Sequence, residues 1–249
     1  MPREPQADPV IGDAFGAMVR DCWHEGGAAG EVTELLERDD GQWYRSPAAA
    51  YFEPLDAWQD VDRELVRAVR GSVLDVGCGA GRVLSVLRDR GHRVLGVDAS
   101  VGAVQVCAER GLDAVVGRLS DLGHLTGGFD SIILTGNGLG LLESRDRAPT
   151  LLTELARVAN PGAVILGTSF DPARLTSPAE LAYQEENLRH GRLLGQWRIR
   201  VRYADLASEW FDYAFLAPDD LRTLATGTPW TLEDVWTGEF HHLARLRLR

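Results

Sequence analysis

Between residues 73 and 166 five short apolar runs alternate with stretches of helical spacing. The runs are Val73-Leu-Asp-Val76, Val94-Leu-Gly-Val97, Ala114-Val-Val116, Ser131-Ile-Ile-Leu134 and Val164-Ile-Leu166. Helical patterns follow over 82–90, 101–110 and 147–159, ended by Gly91, Gly111 and Asn160-Pro-Gly162. A βαβ rhythm of this kind demands a parallel sheet covered by helices on both faces.

Outside that stretch the texture differs. Ile11, Phe15, Met18 and Val19 have helical spacing, as do Val32, Leu35 and Leu36 after the break at Gly26-Gly27. With a further helix over Val61–Val69, they predict a helical cap in residues 1–60. After Ser169 the pattern predicts a polar helix within 179–190. From Gln196 to Tyr203, Trp197, Ile199, Val201 and Tyr203 then alternate with Arg198, Arg200 and Arg202, as on a two-faced strand. Residues 210–216 can pair with it as a hairpin. A helix at 218–225 and strands at 232–236 and 242–248 follow. The expected architecture is α/β: a three-layer Rossmann-like sandwich with a mostly parallel seven-stranded sheet and an antiparallel last strand. A helical N-terminal cap and a β-hairpin insertion after the fifth strand complete it. We read 1–249 as one domain, with 1–60 the cap, 61–169 the core, 170–215 the insertion and 216–249 the end of the sheet.

Composition narrows the class. The 249 residues are 45% hydrophobic with a net charge of −11, which disfavours nucleic-acid backbones and anionic membranes as partners. No apolar run approaches the roughly 18 residues of a membrane span, and the first residues lack the apolar segment of a secretory leader. A cytoplasmic location is expected. Cys22, Cys78 and Cys107 are odd in number and widely spaced, against a disulfide framework or a zinc site. All 26 basic residues are arginine, which points to a GC-rich coding sequence of the actinobacterial kind.

Candidate chemistry concentrates in the first strand-to-helix turn, Asp75-Val-Gly-Cys-Gly-Ala-Gly81. Glycines at 77, 79 and 81 let the backbone turn sharply and a ligand approach without meeting a Cβ atom. A dinucleotide dehydrogenase would carry glycine or alanine at 82, where this chain has Arg82, and has little use for an acid at 75. Asp75 instead suits a ligand bearing an ammonium and a sulfonium. Asp98 ends the second strand, 23 residues on, where a carboxylate can accept both hydroxyl protons of a ribose; a helix N-cap is its bland alternative.

Leu74-Asp-Val-Gly-Cys-Gly-Ala-Gly-Arg82 and Gly96-Val-Asp-Ala-Ser100 resemble the first two motifs of class I S-adenosylmethionine-dependent methyltransferases. Phe129-Asp-Ser-Ile-Ile-Leu134 and Leu155-Ala-Arg-Val-Ala-Asn-Pro-Gly162 resemble their fourth strand and the turn before the fifth. The resemblance spans about residues 70–170. It implies S-adenosylmethionine as cofactor and S-adenosylhomocysteine as product, with methyl transfer to O, N or C of a small-molecule acceptor. Asp75, Gly77, Cys78, Gly79 and Gly81 would hold the methionine half, Asp98 the ribose, and Ala99, Ser100, Leu119 and Ser120 the adenine side. Arg118 stands where many members carry an aspartate for the adenine amino group. Thr135 and Gly136 would complete the cofactor site, and the loop Thr135-Gly-Asn-Gly-Leu-Gly140 resembles those of several small-molecule methyltransferases.

Methyl transfer is driven by alignment and exclusion of water, so no fixed catalytic residue is expected and none is assigned. No metal is implied. On the acceptor side we name Tyr51, Asn137, Trp197, Arg200 and Tyr203. Five arginines and no acid between Asn187 and Arg202 read either as a site for an anionic acceptor or as a solvated strand face. The competing readings are a non-methylating S-adenosylmethionine-binding protein, regulatory or cyclase-like, and an NAD-dependent oxidoreductase.

Overall fold

A computed structural model describes residues 9–249; the segment on which the absence of a leader was read lies largely outside them. Strand β1 (Val10–Ile11) and helix α1 (Ala14–His24) come first, then the hairpin β2 (Thr33–Arg38) and β3 (Trp43–Pro47), and helix α2 (Asp60–Ala68). The alternating core runs β4 (Val73–Val76), α3 (Arg82–Asp89), β5 (Val94–Asp98), α4 (Val101–Glu109), β6 (Ala114–Val116), β7 (Phe129–Leu134), α5 (Ala148–Arg157) and β8 (Ala159–Phe170). Helix α6 (Pro178–Arg189), strands β9 (Gly195–Tyr203), β10 (Leu206–Ala207) and β11 (Phe211–Phe215), helix α7 (Pro218–Leu224), and strands β12 (Trp230–Thr237) and β13 (His241–Leu248) complete the chain.

The core sheet has seven strands in the order β12-β13-β8-β7-β4-β5-β6. Strands β4 to β8 pair in parallel, and β13 inserts antiparallel between β8 and β12, as the sequence predicts. Period-two burial builds its two faces. Leu74, Ile132 and Ile165 point into a cluster with Leu151 and Leu155 of α5 and Leu221 of α7. Their chain neighbours Val73, Ile133 and Leu166 point the other way, onto Leu65 of α2 and Leu87 of α3. Each such fully buried side chain contributes about 1.5–3 kcal/mol, which is why a near-continuous apolar run is stable only in a covered sheet.

The N-terminal region corrects one expectation. α1 forms as predicted, capped by Asp13, whose carboxylate accepts from the Gly16 amide. Residues 33–38, however, are a strand and not a helix: β2 pairs antiparallel with β3 and with β9. The cap is therefore one helix and a hairpin that joins the later insertion in a second, six-stranded sheet, ordered β1-β10-β9-β2-β3 with β11 also on β9. Val32, Leu35 and Leu36 carry helical spacing only by coincidence, because the inward position between them is the polar Glu34.

Helix α1 lies directly on α4. A Cβ on Gly102 would meet the Gly16 Cα at 2.6 Å, so the crossing requires glycine there. Asp13 ties the two helices further, accepting from the Ser100 hydroxyl (2.9 Å) and the Gly102 amide (2.8 Å).

Candidate active site

The carboxyl ends of β4, β5 and β7 open into a cavity of about 1140 Å³, closed on its far side by the second sheet. The strand order reverses between β4 and β7, the place where open α/β sheets bind their ligands. The first wall is the glycine turn. Gly77 and Gly79 hold φ of +76° and +53°, left-handed conformations that leave the backbone bare toward the cavity. Phe15 and Tyr51 lie over Gly79, with their rings edge-on at 5.1 Å. Asp98 stands beside the turn, its two oxygens accepting from the Gly79 and Ser100 amides at 2.8 Å each. Burial raises its pKa, those two amides lower it, and the Asp13 charge adds to the rise.

Asp75 lies behind this wall. It is buried, does not line the cavity, and leaves Oδ1 without a hydrogen-bond partner. Burial and then the Asp98 charge push its pKa up to about 7, against the pull of Arg82. A hydrogen bond with Cys107, burial and the nearby Asp75 likewise push the Cys78 thiol well up, so it is no ready nucleophile.

The second wall comes from alternate residues of the six-stranded sheet. Trp197, Ile199 and Val201 of β9 and Phe211, Tyr213 and Phe215 of β11 face the cavity, with Glu34 and Leu36 of β2 and Ser46 of β3. Tyr213 packs its ring on Gly140, which has no room for a Cβ, and its hydroxyl donates to the Asn137 carbonyl at 2.6 Å. Glu34, 7% exposed, accepts from Ser46 Oγ (2.8 Å) and the Tyr51 hydroxyl (2.9 Å); burial raises its pKa and these two bonds lower it. Asn137 is in the left-handed region (φ 67°), and its Oδ1 is buried with no partner.

At the base, Arg82 donates to Asp62 (3.3 Å) and lies over the Trp58 ring, while Thr168 donates to the same carboxylate (3.2 Å). His241 borders this group; burial lowers its pKa, and the Asp62 charge opposes that shift. Among the described residues no three His, Cys, Asp or Glu side chains are grouped to hold a metal.

Residues 73–162 match a family described as a methyltransferase domain. Over those residues the chain is similar to methyltransferase domains. A 2-heptyl-1-hydroxyquinolin-4(1H)-one methyltransferase of Mycobacteroides abscessus is 33% identical over 116 residues, 42% of this chain and 48% of that protein. A cypemycin N-terminal methyltransferase of a Streptomyces species is 33% identical over 106 residues, 41% of this chain and 43% of that protein. The chain thus spans less than half the length of either relative. The likeness in fold reaches further. A Bacteroides fragilis S-adenosylmethionine-dependent methyltransferase, crystallised with S-adenosyl-L-homocysteine, superposes with a TM-score of 0.81 at 22% identity. The match covers 97% of this chain and 98% of that one, second sheet included.

Most of the positions expected from the sequence converge on the cavity. Gly77, Cys78, Gly79, Asp98, Ala99, Ser100, Leu119, Ser120, Thr135 and Gly136 all line the cavity, as do Tyr51, Asn137 and Trp197. Four expected positions do not. Asp75 acts from behind the turn. Gly81 caps α3, and its place is set by packing, since a Cβ there would reach Leu112 at 2.5 Å. Arg200 turns to the opposite face of β9 and pairs with Glu37 (2.8 and 2.9 Å), and Tyr203 donates to Asp21 (2.9 Å). Arg202 also pairs with Glu37, and Arg198 with Asp212. The arginine stripe thus balances acids of its own sheet, and the reading of it as a site for an anionic acceptor is set aside. Asp13, Phe15, Glu34, Trp58 and Asp62 line the cavity without having been anticipated. Only Asp13 left a local trace, as a capping residue ahead of an apolar-periodic helix.

Proposed function

We propose that this protein transfers a methyl group from S-adenosylmethionine to a small-molecule acceptor held between the two sheets. One observation carries the reading: a single cavity joins the glycine turn and Asp98 on one side to an aromatic wall on the other. The residues fit the cofactor. The bare turn at Gly77 and Gly79 has room for its methionine half beside Thr135 and Gly136, and Asp98 keeps an unused lone pair on each oxygen for the ribose hydroxyls. Ala99, Ser100, Leu119 and Ser120 border the adenine side. Carboxylates at Asp13 and Asp98, with Asp75 behind the turn, favour a ligand with ammonium and sulfonium charges and oppose a pyrophosphate. Bound here, the cofactor supplies a methyl carbon on a positively charged sulfur, open to in-line displacement. The chain's own part is to align the nucleophile and keep water out, with Trp197, Tyr213 and Phe215 as the wall.

Calorimetry tests the reading. S-adenosyl-L-homocysteine should bind and NAD should not, and Asp98→Ala should weaken binding about tenfold or more, the loss of hydrogen bonds to a charged group. NAD binding without response to the sulfur nucleosides would overturn it. We assign the chain to the cytoplasm as one folded unit, on its three buried free thiols, and to specialised metabolism, on the acceptors named for its relatives.

A further inference from the structure

We propose that Glu34 receives the reacting nitrogen of the acceptor, and that the acceptor is an amine on an apolar or aromatic body. This rests on the methyl-transfer reading and adds the acceptor's chemical class to it. Three observations carry it.

The first is charge. Eight carboxylates and two arginines line the cavity. Asp212 and Glu143 are balanced from outside by Arg198 and Arg147, and Asp62 by Arg82. What remains is Asp13, Glu34, Glu53, Asp98 and Glu209 against Arg118 alone. Such a lining draws in an ammonium ion and repels a carboxylate. It also opposes O-methylation that proceeds through a developing oxyanion.

The second is placement. Of the second-sheet side chains that face the cavity from β2, β3 and β9, Glu34 alone is ionisable; its neighbours are Leu36, Ser46, Trp197, Ile199 and Val201. Arg38, on the same face of β2, is shut away behind the aromatic wall by Asp40, Glu180 and the Trp197 ring. Glu34 is also one residue removed from the glycine turn, because its partner Tyr51 is the residue that lies over Gly79.

The third is the balance of donors and acceptors. Ser46 and Tyr51 spend their protons on Glu34, and Tyr213 spends its proton on the Asn137 carbonyl. The hydroxyls beside Glu34 are thus already committed, so an acceptor that meets this carboxylate brings the donor itself, and an ammonium group brings three. Buried Asn137 Oδ1, still unpartnered, offers a further place for one.

In the reaction the Glu34 carboxylate takes one proton from the ammonium, and the electron pair of that N–H bond stays on nitrogen as its lone pair. The lone pair forms the bond to the methyl carbon as the carbon–sulfur bond breaks, its electrons remaining on sulfur. The product leaves as an N-methylammonium, and Glu34 returns its proton to water.

Binding of 4-phenylbutylamine, 4-phenylbutanol and 4-phenylbutyrate is measured by calorimetry, with and without S-adenosyl-L-homocysteine. The amine should bind at least about tenfold more tightly than either partner. Glu34→Gln should remove that preference, lowering the amine affinity about tenfold or more relative to that for the alcohol. Equal ranking, tighter butyrate binding, no measurable amine binding, or an unaltered amine affinity in the variant overturns the proposal. Should the variant not fold, the wild-type ranking decides by itself. Failure of S-adenosyl-L-homocysteine to bind overturns the cofactor reading instead, and the amine ranking without it still decides this one.

Discussion

Replacing Asp75 by asparagine probes the electrostatics of the glycine turn through stability. The carboxyl is 1% exposed, has one oxygen without a partner and is held at a pKa of about 7 by burial and by Asp98. In the unfolded chain it ionises near its ordinary 3.8. Between those values the unfolded state gives up a proton that the folded state keeps. Stability is therefore untouched below the unfolded value, falls as pH rises through the window, and levels off above the folded value. At about 1.4 kcal/mol per pKa unit the whole window is worth about 4 kcal/mol, of which about 3 develops between about pH 5 and 8. Asparagine cannot ionise and loses this slope, while the fixed cost of burying its amide is the same at every pH. The quantity to follow is the melting temperature of Asp75→Asn minus that of the wild type, both without ligand. It should rise by about 6–12 °C from about pH 5 to 8, at roughly 2–4 °C per kcal/mol for a chain of this size. A difference that does not change with pH would refute the argument. Saturating S-adenosyl-L-homocysteine, which brings an ammonium to the same region, should flatten the wild-type slope.

Two further outcomes follow from packing and pairing. Gly102→Ala drives a methyl group into the backbone of Gly16, so the α1–α4 crossing must open; a loss of about 1–3 kcal/mol in urea unfolding is expected. Glu37→Gln strips the partner from Arg202, which is 3% exposed, and should cost about 3–5 kcal/mol in the same assay, while S-adenosyl-L-homocysteine affinity, read at the opposite side of the cavity, stays within about twofold.

The core was legible because burial and periodicity agree there. β4 through β8 are covered on both faces, so their apolar runs are nearly continuous and the helices between them end at Gly91 and Gly111. The glycine-turn wall of the cavity was legible for a related reason: bare backbone needs glycine, and a strand-tip acid is visible in one dimension. Residues 32–38 misled because period two fails where an inward position carries Glu34 and Arg38, both polar for reasons that lie in other elements. The arginine stripe misled in the opposite way. Its acid, Glu37, sits 163 residues from Arg200 in the chain, so the stripe looks unpaired until β2 is laid against β9. Asp62 was invisible for the same cause, since it matters through a contact made across the fold, and Asp13 showed only as a helix cap.

Those long-range contacts also explain why the two halves of the cavity belong together. The Asp98 carboxylate joins the Gly79 amide to the Ser100 amide, the Ser100 hydroxyl passes to Asp13, and Asp13 caps α1 at Gly16. In that same first turn α1 carries Phe15 over the glycine turn, against Tyr51, whose hydroxyl donates to Glu34. A continuous line of hydrogen bonds and ring contacts thus runs from the Asp98 strand tip to the Glu34 carboxylate on the second sheet. Buried polar groups that satisfy one another in this way fix a single arrangement more firmly than apolar contacts of the same extent. The N-terminal segment therefore builds part of the cavity wall and is not a cover laid over it, and the second sheet is what closes the cavity opposite the glycine turn.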